Sequence, residues 1–178
     1  MDKVIASAAD PPGFSMVITD EPYEVVGATL HRLREVTTLL GPLRDGRRHA
    51  AYTAWELRWS YAHRVSPDGW QTTAVRVAVL VTRSLPRWSP VPSAEPGLLE
   101  AWARYLGALT LHEQGHVALA AEAGRAVLAA LRALPPCAAR DDLDALARET
   151  VHRLSERARE EERAYDALTD HGATQGCE

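Results

Sequence analysis

No stretch of this 178-residue chain approaches the roughly 18 uninterrupted apolar residues that would suggest a membrane span. Residues 1–11 hold a few apolar side chains, but Asp10 interrupts them too soon for the core of a secretory leader. The chain therefore reads as cytoplasmic, or as a mature form whose leader has been removed. Cysteine is scarce, and Cys137 and Cys177 give no disulfide framework. An excess of basic charge is missing too. With a net charge of −4, nothing argues for a nucleic-acid partner, and the cluster Arg44, Arg47, Arg48, His49 is short enough to be a solvated turn. There is no internal repeat and no low-complexity segment. What is present, 46% hydrophobic and 25% charged residues, is the composition of a soluble globular protein, long enough for one domain over 1–178 with a real core.

The hydrophobic periodicity changes along the chain. Phe14 to Ile18 is a candidate strand after the breaker Pro11-Pro12-Gly13, and Tyr23 to Val26 reads as its extension. Residues 28–40 read as a helix with Leu30, Leu33, Val36 and Leu40 inward, stopped by Gly41-Pro42. Two alternating runs follow. In 52–65, Trp55, Leu57, Trp59 and Tyr61 share one face; in 70–84, Val75, Val77, Val79 and Val81 do. The intervening Ser66-Pro67-Asp68-Gly69 makes them an antiparallel hairpin, whose aromatic face reads as core. A connector carrying Pro86, Pro90, Pro92 and Pro96 leads to a helix over about 95–134, with Ser93 as its cap. Pro135-Pro136 ends that helix. A last one starts near Asp141-Asp142, where the helix dipole favours negative charge, and runs to about Leu168. Its charged stretch 157–163 reads as a solvated face.

The middle of the long helix carries His112-Glu113-Gln114-Gly115-His116, an H-E-x-x-H pattern. At i and i+4 both imidazoles leave one helix face a turn apart, a separation at which two nitrogens reach one zinc ion. Glu113, one residue round, sits beside the metal rather than on it and can take a proton from water there. A catalytic site needs a third protein ligand. The extended form with Gly and His further on is absent, since Leu119 and Glu122 stand at those positions, and Glu122 points away from the His112/His116 face. His152, Glu149, Glu160 to Glu162, Asp166 and His171 remain open, because the last helix folds back and offers several.

The tail from Tyr165 to Gly176 reads Y-D-x-x-T-x-H-G-x-x-Q-G. Taken with Trp102-x-x-Tyr105 before the H-E-x-x-H pattern, Thr53-x-Trp55-x-Leu57-x-Trp59 and Leu85-Pro86-x-Trp88, it resembles a bacterial family of predicted secreted zinc-dependent proteases catalogued as a domain of unknown function. The resemblance covers about residues 23–176. It implies a small zincin-like fold with His171 as the third zinc ligand, and Asp166 or Asp170 orienting an imidazole from behind. It also implies a cysteine at the start of the second hairpin strand that pairs with one like Cys137. Here that strand starts Trp70-Gln71-Thr72-Thr73, so no bridge is expected, as suits a reducing compartment.

The expected protein is an α+β domain, with a small antiparallel sheet packed on the H-E-x-x-H helix and a C-terminal helix. It would be a zinc-dependent hydrolase of a peptide or amide substrate, with His112, His116 and His171 as metal ligands and Glu113 as the general base. A sheet edge would pair an extended peptide. Tyr52, Tyr61, His63 and Tyr105 are candidates for stabilising the oxyanion. The alternatives are a metal-dependent tailoring enzyme acting on a small or carrier-bound molecule, and a non-catalytic metal-binding module.

Overall fold

The computed structural model describes residues 3–4, 10–44 and 46–177; most of the segment weighed above as a leader lies outside them. Among the described residues the fold is α+β, with small sheets and three α-helices. In chain order, β1 (Lys3–Val4), β2 (Phe14–Asp20) and β3 (Tyr23–Val25) precede α1 (Leu30–Leu40). The short strands β4 (Leu43–Arg44) and β5 (Arg47–Arg48) pair with each other, and the long strands β6 (Tyr52–Ser66) and β7 (Gly69–Ser84) follow. After β8 (Pro86–Trp88) come α2 (Leu98–Arg132), α3 (Arg140–Thr169) and a single 3₁₀ turn, Ala173–Gln175.

The hairpin forms where alternation and turn chemistry place it. Tyr52 faces Ser84 and Ser66 faces Gly69 across the β6–β7 ladder, which leaves Pro67-Asp68 as a two-residue loop. The register shifts between Ser60 and Ala62, where Ala74 takes a left-handed backbone (φ 47°). That is a β-bulge in β7. The main sheet runs β1-β2-β7-β6, and it is mixed rather than antiparallel because β2 lies parallel to β7, Phe14 opposite Val77. Alternation reveals which face a strand buries but not its direction, so the parallel pair is invisible in the pattern. Nor does Tyr23–Val25 extend β2. It pairs with β8, Tyr23 opposite Pro86, inside the segment read as a plain connector.

Central β7 buries Val75, Val77, Val79 and Val81 almost completely. On β6, at the end of the sheet, the aromatic face is half-buried and packs against the same core. The long helix lies on this face through its smallest residues. Ala120, Ala121, Ala123 and Gly124 are buried, and a Cβ at Gly124 would stand 2.4 Å from Val79 Cγ2 and 2.8 Å from Phe14 Cε2. Close approach of backbone to sheet is what these small residues allow. α3 then returns along α2, sharing a core of Val127, Leu128, Leu131, Ala147 and Val151. α2 starts at Leu98, four residues too late for a Ser93 cap. Gly97, with φ 79°, occupies the cap position without a side-chain bond, while Glu95 instead accepts from the Leu30 N–H of α1.

Both cysteines are free. The strand start that the resemblance would bridge to Cys137 does lie beside it. Trp70 and Cys137 exchange backbone hydrogen bonds, 2.7 Å from the Trp70 N–H and 2.9 Å from the Cys137 N–H. Among the described residues, no helix is long and apolar enough to cross a membrane.

The glycines of α2 differ in what they tolerate. Gly107 is exposed with nothing within 4 Å of an added Cβ, so Gly107→Ala should raise stability by about 0.5–1 kcal/mol through helix propensity. Gly124→Val overpacks the helix–sheet contact and should cost about 1–3 kcal/mol or more. Urea unfolding of the two variants checks both signs; equal midpoints would refute the close packing at Gly124.

Candidate metal centre

His112, Glu113 and His116 lie on the buried side of α2, with relative exposures of only 6%, 3% and 8%. Polar groups are buried so deeply only when other groups satisfy them. The two imidazoles are edge to face, and their Nε2 atoms approach to 3.4 Å. Asp166, near the end of α3, closes the triangle. Its Oδ1 is 3.0 Å from His116 Nε2 and 3.3 Å from His112 Nε2. The ligand atoms of these three residues all lie within 4.8 Å of one another, close enough to be bridged by one ion.

The opposite ring nitrogens are held from behind. His112 Nδ1 is 3.0 Å from Gln175 Oε1 and 3.5 Å from Thr169 Oγ1. His116 Nδ1 faces Glu162 Oε1 at 3.6 Å, and the same carboxylate oxygen accepts a 2.7 Å hydrogen bond from Trp55 Nε1 on β6. Tyr165 fixes the helix crossing. Its ring stacks on His112 at 5.2 Å between centroids, and its hydroxyl donates to the His112 carbonyl at 3.1 Å. A Cβ at Gly115 would stand 2.2 Å from that hydroxyl, so glycine within the motif makes room for the tyrosine. Beyond α3 the chain reverses through three consecutive left-handed residues, Asp170, His171 and Gly172, bringing Gln175 back over α2.

Glu113 does not join the triangle. Its Oε2 accepts a 2.6 Å bond from Thr53 Oγ1 on β6. Burial pushes its carboxyl up, against the opposing pull of Thr53 and both imidazoles. Burial also works against charge on the other two groups, but there the pairing wins. Asp166 is held well below the usual carboxylate range by hydrogen bonds from both imidazoles. His116 is raised to about 9 by Asp166 and Glu162.

Of the residues expected at the site, His112, Glu113 and His116 come together with Asp166. His171 stands at the rim. Its side chain is 70% exposed, and its Nδ1 is 4.0 Å from Asp166 Oδ1. Of the other candidates, His152 is exposed beside Glu156, Glu149 and Glu160 face solvent, and Glu161 pairs with Arg157. Glu122 is exposed, on the far side of the helix. Tyr61 is tied to Asp144, Tyr105 to Thr37, and His63 packs on Trp70. The roles of Thr53, Tyr165, Glu162 and Gln175 were not assigned from sequence, although Thr53, Tyr165 and Gln175 fall within the quoted patterns.

A family model described as "Bacterial protein of unknown function (DUF922)" matches residues 20–172. The chain belongs to this family. No curated protein and no solved structure matches it. The span shared with DUF922 takes in Thr53, the H-E-x-x-H helix, Asp166 and His171, and Gln175 lies three positions beyond it.

In this DUF922 protein a His116 pKa raised above the ordinary value near 6.5 contributes stability that is complete below about pH 6.5. That contribution is lost as pH rises toward 9. The depressed Asp166 contributes above its unfolded value near 3.9 and loses that contribution only in acid. The thermal midpoint of metal-free protein should therefore fall between pH 6.5 and 9, and His116→Gln should flatten the decline. A parent profile that is level over this window would refute the His116–Asp166 pairing.

Proposed function

We propose that this protein is a zinc-dependent hydrolase that cleaves a peptide or amide bond, with His112, His116 and Asp166 holding the metal. The observation that carries the reading is the convergence of two buried Nε2 atoms and one carboxylate oxygen within 4.8 Å, beside a buried carboxylate that is not part of the group. The donor set fits zinc, which takes imidazole nitrogen and carboxylate oxygen in three-ligand catalytic sites. Bound there, zinc would polarise a carbonyl and make water acidic enough to attack it near neutral pH.

The chain's own groups supply the rest. Glu113, its carboxyl raised by burial, is suited to take a proton from the attacking water and hand it to the departing amine. Thr53 holds the carboxylate at one oxygen and leaves the other for that work. Gln175 and Glu162 orient the two imidazoles from their Nδ1 sides.

A polypeptide substrate is supported by the sheet. β6 is its terminal strand, and among the described residues its backbone pairs only with β7. Its first turn of sequence passes the site, since Thr53 touches Glu113 and Trp55 touches Glu162. An extended chain added to that edge would run past Glu113. The second reading, tailoring of a small molecule, rests on the donor set alone, because two histidines and one carboxylate also serve non-haem iron. Buried Glu113 favours hydrolysis.

Glu113→Gln should keep one zinc per chain and lower turnover by more than about 10²-fold; a variant within tenfold of the parent on a substrate the parent cleaves removes Glu113 from the mechanism. Asp166→Asn should weaken zinc binding by orders of magnitude, and His171→Ala by less than about tenfold, the lower bound for a group acting from outside the ligand set. Chelator competition on the two variants decides the third ligand. The reverse order would make His171 the ligand.

A further inference from the structure

We propose that Gln175 is a positioning residue that fixes the tautomer of His112, leaving Nε2 bare for a metal; the functional importance of this rests on the metal reading above. The argument is a closed circuit of donors and acceptors. A backbone carbonyl can only accept, so the Tyr165 hydroxyl spends its single hydrogen on the His112 carbonyl, 3.1 Å away. Toward Gln175 that hydroxyl can then only accept, and it takes the amide N–H of Gln175 Nε2 at 3.2 Å. This sets the amide orientation. Gln175 Oε1, an acceptor, is thereby left facing His112 Nδ1 at 3.0 Å. The nitrogen facing it is thereby favoured to carry the hydrogen.

Thr169 agrees independently. Its hydroxyl donates to the Tyr165 carbonyl at 2.8 Å, so what it presents to His112 Nδ1 at 3.5 Å is a lone pair. Both neighbours of Nδ1 are acceptors, so they draw the hydrogen of a neutral His112 to Nδ1, while Asp166 Oδ1 at 3.3 Å draws it to Nε2. With the hydrogen on Nδ1, the Nε2 lone pair opens toward Asp166 Oδ1 and His116 Nε2, an arrangement that a cation between them would complete. The circuit is held over α2 by the reversal at Asp170, His171 and Gly172, whose Gly172 could not carry a Cβ, 3.1 Å from His112 Cγ and 2.7 Å from Cys177 Sγ.

The test pairs two readouts on the full chain. Nitrogen-15 imidazole spectra of metal-free protein, at a pH where His112 is neutral, should show a larger share of the Nδ1–H form in the parent than in Gln175→Leu. Gln175→Leu should lose that preference, and Gln175→Glu, which keeps the acceptor, should retain it. Zinc affinity by chelator competition should fall about 10–100-fold in Gln175→Leu and stay within about threefold of the parent in Gln175→Glu. Tyr165→Phe keeps the ring stack but frees the amide to turn, so it should loosen the tautomer preference without unfolding the chain. An unchanged tautomer and affinity in Gln175→Leu overturn the proposal. A parent that binds no zinc would instead overturn the metal reading, and the tautomer spectra would still decide the role of Gln175.

Discussion

Asp166 meets both Nε2 atoms of one helix only because a second helix is held against it at close range. The contact depends on Gly115. Where a side chain would stand, the ring of Tyr165 lies between the histidines, and its hydroxyl bonds the helix backbone. Moving α3 outward to accommodate a Cβ would carry Asp166, the next residue, away with it. The small residues farther along, Ala120 to Gly124, set the same helix against β7. Position at the site is thus inherited from two close approaches, one to a strand and one to a helix. Both are made by residues with little or no side chain.

The local parts of this site were legible in the sequence, and the long-range parts were not. His112 and His116 follow from helix periodicity alone, because i and i+4 face one way wherever the helix goes. The hairpin follows from alternation and a turn. Asp166 and His171 could not be separated in that manner. They are five positions apart, and the helix ends between them at Thr169; which one faces α2 is decided by how the reversal at Asp170 and His171 is made. Thr53 is an ordinary residue for a strand, and nothing in its neighbours marks it as the partner of Glu113. Glu162 sits in a charged run that is otherwise solvated and ion-paired, as with Arg157 and Glu161, and it alone in that run bonds Trp55 and faces His116.

The sheet contributes more than a floor. β6 supplies a hydrogen bond to each half of the centre, from Thr53 to Glu113 and from Trp55 to Glu162. Two residues on the same face of one strand thereby hold groups on two different helices in a common frame. A strand with one edge unpaired is normally a hazard that proteins blunt with charge or bulges. Here Glu56 and Arg58 point to solvent and pair with each other, and the bulge lies beyond Ser60, away from the end that touches Glu113 and Glu162.

The three successive left-handed residues at the end of α3 have a kinetic meaning. Asp170 and His171 carry side chains in a backbone region that costs each of them about 1 kcal/mol or more, and the turn is retained by the bonds it makes, chiefly those of Gln175 and Thr174. Such a segment opens more readily than the helices it caps. Each opening removes the acceptor behind His112 and uncovers the ring, while His116, backed from within α3, stays in place. An ion held at this centre would then escape at the rate at which the reversal at Asp170, His171 and Gly172 opens, and its residence would lengthen with anything that pins that turn.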